Sequence, residues 1–364
     1  FLMDKNLIND VRSEFKNITF SKFQKSKAKE QLITAIYSCK LENACYWSAE
    51  FICSGHLLDL WEIILSYTYK YIHYGNPKLT IYIEMRYKNF VTILENGYQT
   101  DIIKLRNNSK IRKLFCELIC VLCFSQKKHL YTEIKLNKNE DFNLLNLSDK
   151  FKAPSVKYIN EILREDDPKE LIVPVNELIY SLENYNIIDT WFWFEWINEY
   201  ENINKKNKKK YHCDLRSYAP DKFTHDIIWI IWDILFYYSN PESPLNNLRT
   251  KSPLIKKIID KLFKLYTIKF NDAHKKRRKF IIYFAFNLLI ENIDLNINII
   301  DPSKLEKIDA IVKKIDYIYK DIKKNEIAPK TDYLFKNLKK SNLDKTIEKI
   351  EMINNLDIPQ EDDI

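Results

Sequence analysis

Three glycines, at positions 55, 75 and 97, are all that this chain of 364 residues contains, where average usage would give about 25. Glycine supplies positive φ and lets backbone approach backbone or ligand closely. Phosphate-cradling loops, dinucleotide-binding turns and tight primed hairpins all depend on it. No GxGxxG or GxxxxGK[ST] pattern occurs. A nucleotide-hydrolysing or Rossmann-type enzyme is therefore excluded as a reading, and so is a hairpin-rich β-fold.

Each glycine also closes a run with helical periodicity: "ENACYWSAEFICSG", "HLLDLWEIILSYTYKYIHYG" and "PKLTIYIEMRYKNFVTILENG". Glycine just past a helix end supplies a left-handed cap, and Pro77 after Gly75 can open the next helix. The first third thus reads as helices over 22–39, 42–54, 57–74 and 77–96, with another over 109–126. "HLYTEIKL" (129–136) alternates weakly and predicts one isolated strand. Helices over 155–165 and 168–183 follow, the second disturbed by Pro174. Further helices are expected over 187–203, 222–239, 252–270, 272–291, 302–323 and 331–353. Residues 204–220 read as a charged linker, 240–252 as a loop, and "PQEDDI" as an acidic tail.

The fold class that follows is all-α: a two-lobed multi-helix bundle with at most a minor β element near 129–136. The expected division is an N-terminal helical lobe (1–128), an irregular connecting region (129–186) and a C-terminal helical lobe (187–364). Tyr46, Trp47, Trp61 and the 116–123 face form the first predicted core. Trp193, Trp196, Trp229, Trp232, Phe284 and Phe286 form the second. The longest apolar runs, 226–238 and 280–290, are too short to span a bilayer. Seven scattered cysteines, six of them in apolar helical runs, match reduced buried thiols and an intracellular setting. Met3 reads as the natural start of the chain.

In "TWFWFEW" (190–196) aromatics crowd one helix. At 100° per residue, Phe192, Trp193, Trp196, Ile197, Tyr200 and Ile203 share one arc, which marks a core face. Trp191 and Phe194 fall on the polar side with Glu195, Asn198, Glu199 and Asn202. They are covered by a second layer, or else they are exposed aromatic contacts.

Charge is unevenly placed. Residues 201–280 hold 19 Lys/Arg against 8 Asp/Glu, a balance of +11 within a chain of net charge +8. Two segments carry most of it. Lys205, Lys206, Lys208, Lys209 and Lys210 form a lysine run that is either a solvated linker or a polyanion contact. In "NDAHKKRRKF", His274, Lys275, Lys276, Arg277, Arg278 and Lys279 open a helix capped by Asn271 or Asp272. Cations at a helix N-terminus oppose the macrodipole, so an external anion is expected to compensate them. Nucleic-acid backbone or an acidic protein surface would serve. A nuclear-import signal uses similar residues.

Other constellations are weaker. Cys116, Cys120 and Cys123 have the spacing of a cluster-binding motif, but i, i+4, i+7 puts them on one helical face among apolar residues, which predicts inert buried thiols. Zinc lacks a fourth ligand there. His212, Cys213 and His225 lack paired metal-ligand spacing. His225 and Asp226 near Asp233 read as capping groups, and Glu195 with Glu199 as a solvent-facing pair. No catalytic residue, metal or cofactor is assigned.

Residues 27–78, "KAKEQLITAIYSCKLENACYWSAEFICSGHLLDLWEIILSYTYKYIHYGNPK", resemble the helical C-terminal region of MgsA-type replication-associated recombination ATPases. Ala44, Tyr46, Trp47, Gly55, Trp61, Gly75 and Pro77 carry the likeness. The acidic pair of that family is replaced by 71–73, and its ATPase module has no counterpart here. The resemblance therefore implies assembly and partner contacts without hydrolysis. Segments such as "DIIWIIWDILFYYS" and "LRNNSKIRKLFCEL" are similar in style to uncharacterised proteins of nucleocytoplasmic large DNA viruses. Together these imply a non-enzymatic accessory protein of viral DNA replication, recombination or genome handling. It would bind nucleic-acid backbone in host cytoplasm or nucleus, or travel in the virion. The alternative is a helical scaffold or virion component binding acidic protein surfaces.

Overall fold

A computed structural model describes residues 7–132, 134–138, 140–142, 144–209, 212–242 and 252–327, without the side chains of 144 and 145. The helices expected over 331–353, the acidic tail and Lys210 lie outside the described residues. Among the described residues the structure is all-α. Its helices are α1 (Lys25–Tyr37), α2 (Leu41–Cys53), α3 (Leu57–Tyr67), α4 (Leu79–Glu95), α5 (Ser109–Phe124), the single turn α6 (Leu144–Leu147) and α7 (Ile172–Glu183). They continue as α8 (Ile187–Lys206), α9 (Ile228–Ser239), α10 (Pro253–Tyr266), α11 (Asp272–Arg277), α12 (Lys279–Ile290) and α13 (Leu305–Lys323).

The predicted strand at 129–136 does not form. No strand exists among the described residues, and only an isolated bridge joins Ile18 to Gln24. With no neighbouring strand to pair with, this stretch is fixed by a side chain. Tyr131 is buried between His73, Trp191, Phe280 and Tyr283, at ring distances of 4.5, 5.3, 6.2 and 5.7 Å. The helix predicted over 155–165 is reduced to one turn, Lys157–Ile159. Pro174 does not disturb α7, because it sits in the first turn, where its missing N–H has no helical acceptor.

Two of the glycines act as left-handed caps: Gly55 has φ 73° after α2 and Gly97 has φ 98° after α4. Gly75 has a different reason. A Cβ there would overlap the carbonyl oxygen of Gln126. Before it, α3 passes into a π-helical turn, Thr68–Ile72, and His73 takes φ 32°. The Lys128 N–H then donates to the Tyr71 carbonyl at 2.8 Å, drawing the chain after α5 onto this irregular turn.

Two packing centres share one continuous apolar interior. In the first, α2 and α5 lie against each other with α1, and Trp61 is enclosed by Tyr87, Phe90 and Phe115. In the second, Trp229, Trp232, Phe263, Tyr266 and Phe270 surround the α9–α10 contact. The chain's far end crosses back: α13 packs on α2 and α5, so residues expected with the second lobe lie against the first. α10 joins the halves by packing on α4.

Candidate functional site

α8 carries the first basic segment at its end and α11 the second. α8 is apolar on more than one arc because two layers cover it: α7 on one side and α12 on the other. Trp191 and Phe194, the candidate exposed aromatics, are therefore buried, at 6% and 1% exposure. Trp191 meets Tyr131 and Tyr283, and Phe194 meets Tyr283 and Phe286. They are core residues, not contact surface. A wheel that seeks one stripe misreads a helix sandwiched between two neighbours.

The second segment departs further from expectation. The predicted helix over 272–291 is two helices that meet at Arg278, whose φ of −94° and ψ of 11° break the run. Asn271 is the N-cap, accepting from the His274 N–H at 2.9 Å. Because α11 has only six residues, its dipole does not make the anion seat that a long helix would.

Nor do its cations wait for an external anion. Arg278 is buried, pairs with Glu62 of α3, and donates to the carbonyls of Tyr266 and Ile268 at 2.6 Å each. The guanidinium thus closes the C-terminal end of α10 and ties it to α3. Lys275 is buried between Glu201 of α8 and Asp226, its Nζ 2.5 Å from a carboxylate oxygen of each. Lys279 pairs with Glu195 at 3.2 Å. His274 donates through Nδ1–H to the Lys269 carbonyl, 2.6 Å away. The premise that crowded charge at 275–279 must be met from outside is corrected for Lys275, Arg278 and Lys279. Acids distant in sequence meet it.

Two members remain outward. Lys276 and Arg277 are exposed, and neither has an acid partner among the described residues; Arg277 donates only to its own helix, at the Ala273 carbonyl. Lys276 opens on a cleft of about 330 Å³ shared with Lys205, Lys275, Lys279, Glu195 and Glu199. Arg277 opens on a separate cavity of about 590 Å³ with Lys25, Lys29, Asp59 and Glu62.

In the first segment only Lys205 is held: Glu201 lies 3.0 Å and Asp272 3.1 Å from its Nζ. That contact joins the two segments, because Asp272 opens α11. Burial lowers the Lys205 ammonium, but Glu201, Asp226 and Asp272 outweigh it and hold its pKa above the ordinary lysine value. Lys206, Lys208 and Lys209 are exposed without an acid partner among the described residues. Lys208 and Lys222 border a further cleft of about 530 Å³, which shares Lys205 and Asp272 with the cleft at Lys276.

The histidine and carboxylate candidates are engaged structurally. His225 Nδ1 meets the Cys213 carbonyl at 2.8 Å, and the Cys213 thiol donates to the Asp226 carbonyl at 3.1 Å. Asp233 receives Arg216 at 2.8 Å and the Tyr218 hydroxyl at 2.6 Å. Glu195 accepts from Tyr283 at 2.7 Å, and Glu199 pairs with Lys138 at 2.8 Å, so these carboxylates are not the solvent-facing pair expected. Sequence reasoning gave no weight to Glu62, Glu201 and Asp226 as partners. A lone acid on an amphipathic helix has no local signature that names its distant cation.

Among the described residues, no helix is long and apolar enough to cross a membrane. In comparison with known proteins, no family model, no curated protein and no solved structure gives a significant match to this chain.

Proposed function

We propose that this chain is a non-enzymatic helical binding protein that touches the phosphate backbone of nucleic acid through Lys206, Lys208, Lys209, Lys276 and Arg277. The observation that supports the reading is a contrast within one neighbourhood. Lysines and arginines that face the interior are matched by acids, while these five face solvent without one. The Lys205–Asp272 pair holds the two segments against each other, so their outward cations act from adjacent elements. An accessory role in replication, recombination or genome handling of a large DNA virus fits such a contact, with no chemistry required of the protein.

Backbone contact of this kind is indifferent to sequence and weakens steeply with salt. The mixed sign of the cleft rims, with Glu195 and Glu199 among the lysines, limits the contact to a few phosphates.

The test is a gel shift on single- and double-stranded DNA at two salt concentrations. Wild type is expected to bind at low salt and lose affinity at high salt. The combined variant Lys206→Glu, Lys208→Glu, Lys209→Glu, Lys276→Glu and Arg277→Glu is expected to lose binding while keeping its helical content. Arg278 is left intact, since reversing a buried charge would unfold the chain rather than test the surface. Equal binding by wild type and the variant would remove these cations from the proposal. Absence of binding by wild type, together with capture of an acidic protein surface that the variant loses, would favour the scaffold instead.

A further inference from the structure

The sequence places Cys116, Cys120 and Cys123 on one face of α5, and the fold regroups them. Cys45 of α2 reaches across the α2–α5 contact to Cys116 and Cys120, its sulfur 3.7 Å from the first and 3.9 Å from the second. The three sulfurs all lie within 4.8 Å of one another, while Cys123 stands outside the group. Their spacing matters because a d10 ion bonded to three sulfurs at about 2.3 Å holds them about 3.8–4.0 Å apart. Two sides of the triangle therefore already have the dimensions of a filled site, and the third is within 4.8 Å.

We propose that Cys45, Cys116 and Cys120 form a three-sulfur site for a soft monovalent d10 cation, Cu(I). The donor set selects the ion. No histidine, carboxylate or fourth cysteine among the described residues joins the group, and a structural zinc site wants four ligands. All three residues are buried, at 0–2% exposure, which excludes the water that could complete zinc coordination. Thiolates without nitrogen or oxygen donors suit Cu(I), which accepts three ligands.

Tyr319 of α13, at 1% exposure, has a hydroxyl with no partner among the described residues. Burial pushes that phenol up, and the thiols of Cys53, Cys116 and Cys45 act in the same direction against the opposing Arg112 guanidinium. Arg112 lies over its ring at 4.1 Å and fixes its plane. Each thiolate that binds the ion releases its proton to solvent, so uptake strengthens as pH rises.

The experiment offers the full-length reduced chain Cu(I) anaerobically from its bicinchoninate complex, with Zn(II) offered in a parallel arm. The expected result is transfer of one Cu(I) per chain, a higher Tm, and an X-ray absorption edge and shell of three sulfurs. Cys45→Ser, Cys116→Ser and Cys120→Ser are each expected to lower the affinity at least tenfold. Cys53→Ser and Cys123→Ser, which perturb the same core, are expected to retain it. If the triad variants fail to fold, the absorption spectrum of the unaltered protein still decides the ligand set. No transfer to wild type would overturn the site. So would transfer that persists when all three serines are combined, or a shell containing nitrogen or oxygen. Preferential uptake of Zn(II) would overturn the choice of ion.

Discussion

Residues 205–209 and 275–279 look alike as text, each a short run of cations beside a helical segment, yet the fold treats them in opposite ways. Residues 275–279 curl around the α11–α12 break, so some side chains turn inward and others outward. Lys275, Arg278 and Lys279 meet Glu201, Asp226, Glu62 and Glu195, while Lys276 and Arg277 face water. Residues 205–209 trail off the exposed end of α8, where only Lys205 can turn back to an acid. A basic run is thus not one object. Its members divide into structural ties and surface charge according to where the helix carrying them begins and ends.

The largest way to test that division is at Arg278. Arg278→Met leaves the half-buried Glu62 without its guanidinium partner and the Tyr266 and Ile268 carbonyls without their donor. Breaking a buried pair on one side costs about 3–5 kcal/mol, and with two buried carbonyls also losing their donor a loss of about 4 kcal/mol is expected in urea unfolding. Loss below about 1 kcal/mol would mean that α3 and α10 do not depend on the tie. Lys275→Met is expected to cost slightly less, about 3 kcal/mol, since Glu201 keeps Lys205 as a partner and only Asp226 is left without a side-chain cation. The double variant Lys275→Met, Asp226→Asn should recover part of that loss, since it removes the carboxylate left without a cation. A loss no smaller than that of the single change would show that the two groups do not act as a pair.

How much of this was legible in the sequence follows the range of the forces. Helix positions were legible because apolar periodicity and the caps at Gly55 and Gly97 are local. The second core was legible for the same reason: Trp193, Trp229, Trp232, Phe284 and Phe286 are all buried where the pattern placed them. What failed depended on distant partners. The 129–136 stretch alternated like a strand but had none beside it. Trp191 and Phe194 sat on the polar arc of α8 but were covered by Tyr131 and α12. Cys45 was one thiol in an apolar run until α2 met α5. The basic site failed most instructively, because charge compensation was sought outside the molecule when Glu62, some 200 positions away, supplied it inside.

Arg216 sharpens the comparison from the opposite side, since it lies in no basic run and is nonetheless the most enclosed cation among the described residues, at 0% exposure. It bonds Asp167 at 2.5 and 2.7 Å and Asp233 at 2.8 Å. Burial alone would raise the Asp167 pKa. The Arg216 hydrogen bonds, with the backbone N–H groups of Arg164 and Asp214, overcome it and hold the carboxyl below its ordinary 3.8. A depressed carboxylate contributes stability that is whole above the unfolded value and is lost as pH falls through the lower folded value. Wild type should therefore lose stability on acidification below about pH 4, with part of the slope due to Asp167. Asp167→Asn is expected to lower stability by about 2–3 kcal/mol at neutral pH, leaving Arg216 with Asp233, and to flatten that acid limb. An acid limb of unchanged slope in the variant would assign the proton uptake to other carboxylates.

The smallest expected effect on stability belongs to the outward lysines, and its smallness carries the argument. Lys206→Glu, Lys208→Glu and Lys209→Glu touch no described acid, so each should change unfolding free energy by no more than about 0.5 kcal/mol. The same changes should register strongly in binding. Each lysine that neutralises a phosphate contributes about one to the slope of log affinity against log salt, and its removal should lower the slope by that amount. The informative result is therefore a dissociation of two measurements at one residue: a flat denaturation midpoint with a reduced salt slope. Lys205→Glu provides the contrast within the same run, since it sets a third carboxylate beside Glu201 and Asp272 and must lower stability as well as affinity. If Lys205→Glu and Lys208→Glu behaved alike in both measurements, the division between tie and surface charge would fail in this segment, even where it holds at Arg278.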